Sequence, residues 1–129
     1  MTDGYAWDDL TVDLEGPGVS IRRKDLGGMA MCLIRFNAGE KTDEVFAGLP
    51  DGRCQCGHWG YVIAGTMRVH GPDGSRDYGA GETYYWAPGH NLEALTDVEY
   101  FEVSRVEDYD VLMDHVKQVL AAAAEAEAE

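Results

Sequence analysis

The sequence predicts an all-β domain, a strand-rich sandwich or barrel, followed by one C-terminal helix. Three observations carry this. Short apolar-rich runs recur at roughly 8–12-residue intervals, the rhythm of a sandwich or barrel. Sixteen Gly and four Pro in a chain of 129 residues supply turn chemistry between those runs. Only beyond Ser104 does alternation give way to helical spacing of the apolar residues.

Met1 to Gly18 is polar and irregular, with Trp7, Leu10, Val12 and Leu14 spaced to pin a short edge strand. Val19–Arg23 and Met29–Phe36 read as strands joined at Gly27-Gly28. Asn37–Arg53 is a long loop broken by Gly39, Gly48, Pro50 and Gly52, a length that marks a functional segment in a compact domain. Cys54–His70 reads as a strand pair or one bent strand, with Gly57, Gly60 and Gly65 as bend points. Gly71-Pro-Asp-Gly-Ser75 is a turn, since Pro presets φ and Gly74 accepts a positive one. Arg76–Tyr78, Glu82–Ala87, His90–Ala94 and Val98–Ser104 complete the strands. Ser104-Arg-Val-Glu107 fits a capping box, and Tyr109, Leu112, Met113, Val116, Val119 and Leu120 then form one apolar helical face that covers the sheet. These readings give a single domain over 1–129: barrel about 19–104, helix about 105–124, and a frayed Ala/Glu tail 125–129.

Ten Lys and Arg against 24 Asp and Glu leave a net charge of −14, which argues against nucleic acid and anionic membranes as partners. The chain holds no apolar run long enough to span a membrane, and Met1–Leu14 lacks the cationic start and apolar stretch of a secretory leader. A cytoplasmic location with reduced thiols is expected, and three cysteines cannot all pair within one chain.

The informative stretch is Cys54-Gln-Cys56-Gly-His58. Residues two apart on a strand share a face, so both thiols and the imidazole point the same way. Two thiolates and an imidazole suit a divalent transition ion, zinc before iron, and not magnesium or calcium. Geometry objects. In an ideal strand Cys54 and His58 stand about 13 Å apart at Cα, while metal bonds give the two side chains a combined reach of about 10 Å. Either the chain bends near Gly57, or Cys56 and His58 chelate and Cys54 stays outside. Without a metal, the same residues are buried small hydrophobes and a hydrogen-bonded histidine, or His58 serves as a general base.

Three segments resemble the cupins, small double-stranded β-helix or jelly-roll barrels. Trp59-Gly-Tyr-Val-Ile-Ala-Gly65 resembles the end of the first cupin motif, and Gly81-Glu-Thr-Tyr-Tyr-Trp-Ala-Pro-Gly89-His90 resembles the second. Leu33-Ile-Arg-Phe-Asn-Ala-Gly39 resembles the strand and turn leading into the first. The resemblance covers roughly Val19 to Ser104, and the usual three-histidine, one-glutamate metal set is missing from it. Aligned on Gly65, the motif glutamate falls on His58, its second histidine on Cys54 and its first on Gly52. In the second motif the proline falls on Ala87, the histidine on Leu92 and the asparagine on Thr96. Coordinating types thus replace coordinating types at Cys54 and His58. His90 lies two residues before Leu92 and so shares its inward face. The resemblance therefore implies a variant metal set of Cys54, Cys56, His58 and His90, an organic ligand or substrate inside the barrel, and a homodimer. Four ligands would make a full, structural site; three would leave a position for water.

The expected function is a small metal-dependent enzyme acting on a small organic molecule, with isomerase, lyase, cyclase and oxygenase chemistry all open and no catalytic residue assigned. The alternative is a non-enzymatic binding or sensing protein with a structural metal or none. Tyr84 and Trp86 share one strand face and are the candidate substrate-stacking residues, against a core role. Glu40, Asp43 and Glu44 lie in the long loop over the barrel mouth, Cys32 reads as core, and His70 and His115 as surface.

Overall fold

The computed structural model describes residues 4–128. Among the described residues nine strands form two antiparallel sheets: β1 (Thr11–Gly16), β2 (Val19–Leu26), β3 (Met29–Phe36), β4 (His58–Ala64), β5 (Thr66–Gly71), β6 (Gly74–Gly79), β7 (Thr83–Trp86), β8 (Asn91–Ala94) and β9 (Val98–Arg105). The six-stranded sheet runs β1-β2-β3-β9-β4-β7 and the three-stranded sheet β6-β5-β8. A short helix, α1 (Asp43–Phe46), sits in the long loop, and α2 (Val106–Ala128) ends the chain.

Local chemistry places the corners. Leu26 pairs with Met29, so Gly27 and Gly28 form a two-residue hairpin with φ of 59° and 78°, both left-handed. Gly65, at φ 82°, carries the chain from β4 in one sheet to β5 in the other, and a Cβ there would run into the Asp97 carbonyl.

Alternation builds the interior. Ala30, Cys32, Ile34 and Phe36 of β3 face inward, as do Val98, Tyr100, Glu102 and Ser104 of β9. The core adds Val62, Met67 and Trp86 from the strands and Tyr109, Leu112, Met113 and Val116 from α2. The helix face thus covers the barrel, as its spacing predicts.

Two local expectations change at this helix. Ser104 is the penultimate residue of β9, fully buried, with its hydroxyl turned to His58 and not to the helix N-terminus; strand alternation overrides the capping pattern. The Ala/Glu stretch is helical through Ala128, because Ala and Glu are among the strongest helix formers even without an apolar face.

Candidate metal centre and its cavity

Cys54 and His90 belong to no regular strand, yet the backbone locks them together. The Cys54 amide donates to the His90 carbonyl at 2.9 Å, and the Gly89 and His90 amides donate to the Cys54 carbonyl at 2.6 and 3.3 Å. His58 opens β4, opposite Trp86 of β7. Residues 55–57 are irregular, and this break folds Cys54 back over His58. The Cys54 Sγ reaches His58 Nε2 at 3.4 Å, so the chain bends where an extended strand would have held the two apart.

The Cys54 sulfur and one ring nitrogen each of His58 and His90 lie within 4.8 Å of one another. All three residues are buried. Their outer contacts set which atoms face inward. His90 Nδ1 lies 2.6 Å from the Ala87 carbonyl, which can only accept, so Nδ1 carries the proton and Nε2 is a bare lone pair. That Nε2 is buried and has no hydrogen-bond partner among the described residues. His58 Nδ1 lies 2.6 Å from Ser104 Oγ and 3.3 Å from Glu102 Oε2, leaving its Nε2 toward Cys54. Glu102 in turn accepts from the Tyr84 hydroxyl at 2.9 Å.

Burial governs every charge here. Desolvation, reinforced by His90, drives His58 well below its usual range, and desolvation lowers His90 as well. The same cause pushes Glu102 up to about 8, against the Tyr84 hydrogen bond that pulls it down. The His58–Glu102 contact is therefore a neutral pair and not an ion pair. Burial also raises the Cys54 thiol far above its usual value and the Cys56 thiol to about 12.

His58 and His90 of the trio, but not Cys54, line a cavity of about 120 Å³. His58, His90, Glu102, Tyr100 and Tyr109 are among its polar lining, while Ile21, Ile34, Phe46, Leu112, Met113 and Val116 are among its apolar walls. The long loop closes the side: Glu40, Lys41 and Thr42 line the cavity, and Thr42 Oγ1 accepts from the Leu92 amide at 2.9 Å.

No protein-family model matches the chain, and no curated protein matches it significantly. Solved structures do. An ectoine synthase from P. lautus is 16% identical, covering 81% of this chain and 78% of its own, with a TM-score of 0.60. An RmlC-like cupin from Shewanella frigidimarina is 14% identical over 84% of this chain and 96% of its own, at 0.61. The polyketide cyclase RemF from Streptomyces resistomycificus is 16% identical over 81% and 79%, at 0.59. The chain has the cupin fold.

Within this cupin barrel, Cys54, His58 and His90 come together, the last facing in with Leu92 as their spacing predicts. Cys56 is buried beside them, but its sulfur is 3.6 Å from the Gly57 carbonyl and outside the trio. Tyr84 and Trp86 do share a face: their rings stack at 3.6 Å inside the core, and neither lines the cavity. Asp43 and Glu44 are exposed on the loop, and Cys32 is buried in β3. The sequence reading gives Glu102 no role and Ser104 only a capping one, so both are missing from its candidate site. The signal was present, since alternation along β9 puts both in phase with Val98 and Tyr100 on the buried face.

Proposed function

We propose that the protein is a metal-dependent cupin enzyme that converts a small organic molecule inside its barrel, with Cys54, His58 and His90 holding one divalent transition ion, zinc before iron. The carrying observation is the convergence of one sulfur and two ring nitrogens within 4.8 Å, with the buried His90 Nε2 lacking any other partner among the described residues. A buried acceptor left unpaired is costly, and a cation is the partner that fits a lone pair. Sulfur and imidazole nitrogen are zinc and iron donors. A bound ion of this kind polarises a carbonyl or lowers the pKa of its water to about 7.

The chain's own residues do the rest. With Nε2 on the ion, His58 holds its proton at Nδ1 and donates toward Ser104 and Glu102, which fixes the ring's orientation. Tyr84 acts through Glu102 and not by stacking on substrate. Three protein donors match the count in catalytic zinc sites; Cys56 would be the fourth ligand of a structural one.

A second reading is a non-enzymatic binding or sensing cupin without metal, and one observation favours it. Cys54 Sγ and His58 Nε2 already satisfy each other at 3.4 Å. In either reading the partner is a small molecule, and the reduced thiols suit the cytoplasm. A homodimer would form on the outer face of the larger sheet. Trp59, Tyr61, Ile63 and Tyr85 are exposed there, and β4 and β7 carry no charged residue in a chain of net charge −14.

Elemental analysis of wild type, Cys54→Ser and Cys56→Ser tests the metal. The reading expects about one zinc or iron per chain in wild type and Cys56→Ser, and its loss in Cys54→Ser. Wild type that takes up no stoichiometric metal after incubation with zinc would overturn it.

A further inference from the structure

We infer that the cavity selects a compact, apolar molecule of about the size of benzene bearing a single anionic oxygen, a phenolate or a monocarboxylate. The inference rests on the proposed metal site for its oxygen-binding end and on the cavity walls for its selectivity.

The walls come first. The apolar part of the cavity is bounded by β2, β3, α1 and α2, through Ile21, Ile34, Phe46, Met113 and Val116. Its acidic and lysine lining residues among those described are the neutral Glu102 beside His58, and Glu40 and Lys41 in the long loop. Beyond the histidines and Glu102 the polar lining is sparse: the tyrosines Tyr100 and Tyr109, Glu40, Lys41, and Thr42, whose Oγ1 is already bonded to Asn91 and Leu92. Most polar groups of a polyol or an amino acid would find no partner there. Each such group would enter unpaired, at a cost on the order of tenfold or more in affinity.

Size follows from volume. The cavity measures about 120 Å³. An apolar void of about 150 Å³ takes up benzene, so a body of about six carbons is the upper limit here unless the ligand protrudes past the rim.

The head group follows from charge. A divalent ion held by one thiolate and two neutral imidazoles keeps one net positive charge, whose complement is one anionic oxygen. The one lysine or arginine among the described lining residues, Lys41, already pairs with Glu93 at 3.9 Å, so a second carboxylate on the ligand would have to compete for it.

The C-terminal helix makes the wall specific to this chain. Leu112, Met113, Val116 and Leu120 all line the cavity from α2, which is anchored to the long loop where His115 Nε2 donates to the Ala47 carbonyl at 2.9 Å.

The test is calorimetric titration of zinc-incubated protein, its zinc content measured on the same sample, with phenol, benzoate, succinate and glycerol. Phenol or benzoate should bind at least tenfold more tightly than succinate or glycerol. Val116→Phe fills the wall and should weaken that binding at least tenfold with zinc content unchanged; should it fail to fold, Leu120→Trp at the rim serves instead. Zinc-loaded protein that binds neither phenol nor benzoate, or binds succinate as well, overturns the inference alone. Protein without zinc that still binds phenol through a Val116-dependent site supports the cavity and overturns the metal reading.

Discussion

The buried carboxyl of Glu102 makes a quantitative prediction. It is 3% exposed, between the Tyr84 hydroxyl and His58 Nδ1, and burial lifts its pKa from an ordinary 4.5 to about 8. Between those values the folded chain keeps a proton that the unfolded chain has released. Stability from this group is therefore complete below about pH 4.5 and is lost as pH rises toward about 8. At about 1.4 kcal/mol per tenfold change in proton affinity, the full loss is on the order of 4–5 kcal/mol, an upper bound because water entry relaxes a buried charge. Glu102→Gln keeps an acceptor for Tyr84 and cannot ionise. In chelator-treated protein, its stability relative to wild type should rise by at least about 2 kcal/mol from about pH 5 to about pH 8, read from urea unfolding. His58 and His90, both lowered by burial, contribute the opposite slope below their usual range, but they are common to both proteins and drop out of the difference. A difference level within about 0.5 kcal/mol would mean that Glu102 is ionised in the fold, and the neutral-pair account would be wrong.

Two further substitutions probe the frame of the site. Ser104→Ala removes the 2.6 Å partner of His58 Nδ1 in a buried position, and thermal unfolding should report a loss of about 1–3 kcal/mol. Gly65→Ala places a side chain at φ 82° against the Asp97 carbonyl and should cost more than about 3 kcal/mol in urea unfolding, whereas Gly16→Ala, in open space, should stay within about 0.5 kcal/mol. Equal effects at the two glycines would contradict the corner assigned to Gly65.

Much of the site is legible in residue types, and little of its membership is. Cys54, Cys56 and His58 alternate as if on one strand face, yet the irregular stretch at 55–57 breaks that phase, folding Cys54 onto His58 while the Cys56 sulfur turns toward Gly57. Glu102 and Ser104 were readable as buried from the rhythm of β9, but the local capping pattern concealed what Ser104 contacts. Tyr84 and Trp86 share a face as alternation requires, and alternation does not say whether that face borders a cavity or a core.

The strands, the glycine corners, the C-terminal helix and its apolar face are local in origin, because they depend on backbone preferences and periodicity within a few residues. Which donors meet is set by packing between distant segments. His90 reaches Cys54 through backbone hydrogen bonds across 36 residues of chain, and Glu102 and Ser104 reach His58 from β9. The cavity beyond them exists because α1 and α2 pack over the open side of the barrel. Those contacts are between segments distant in sequence, and no local pattern encodes their register.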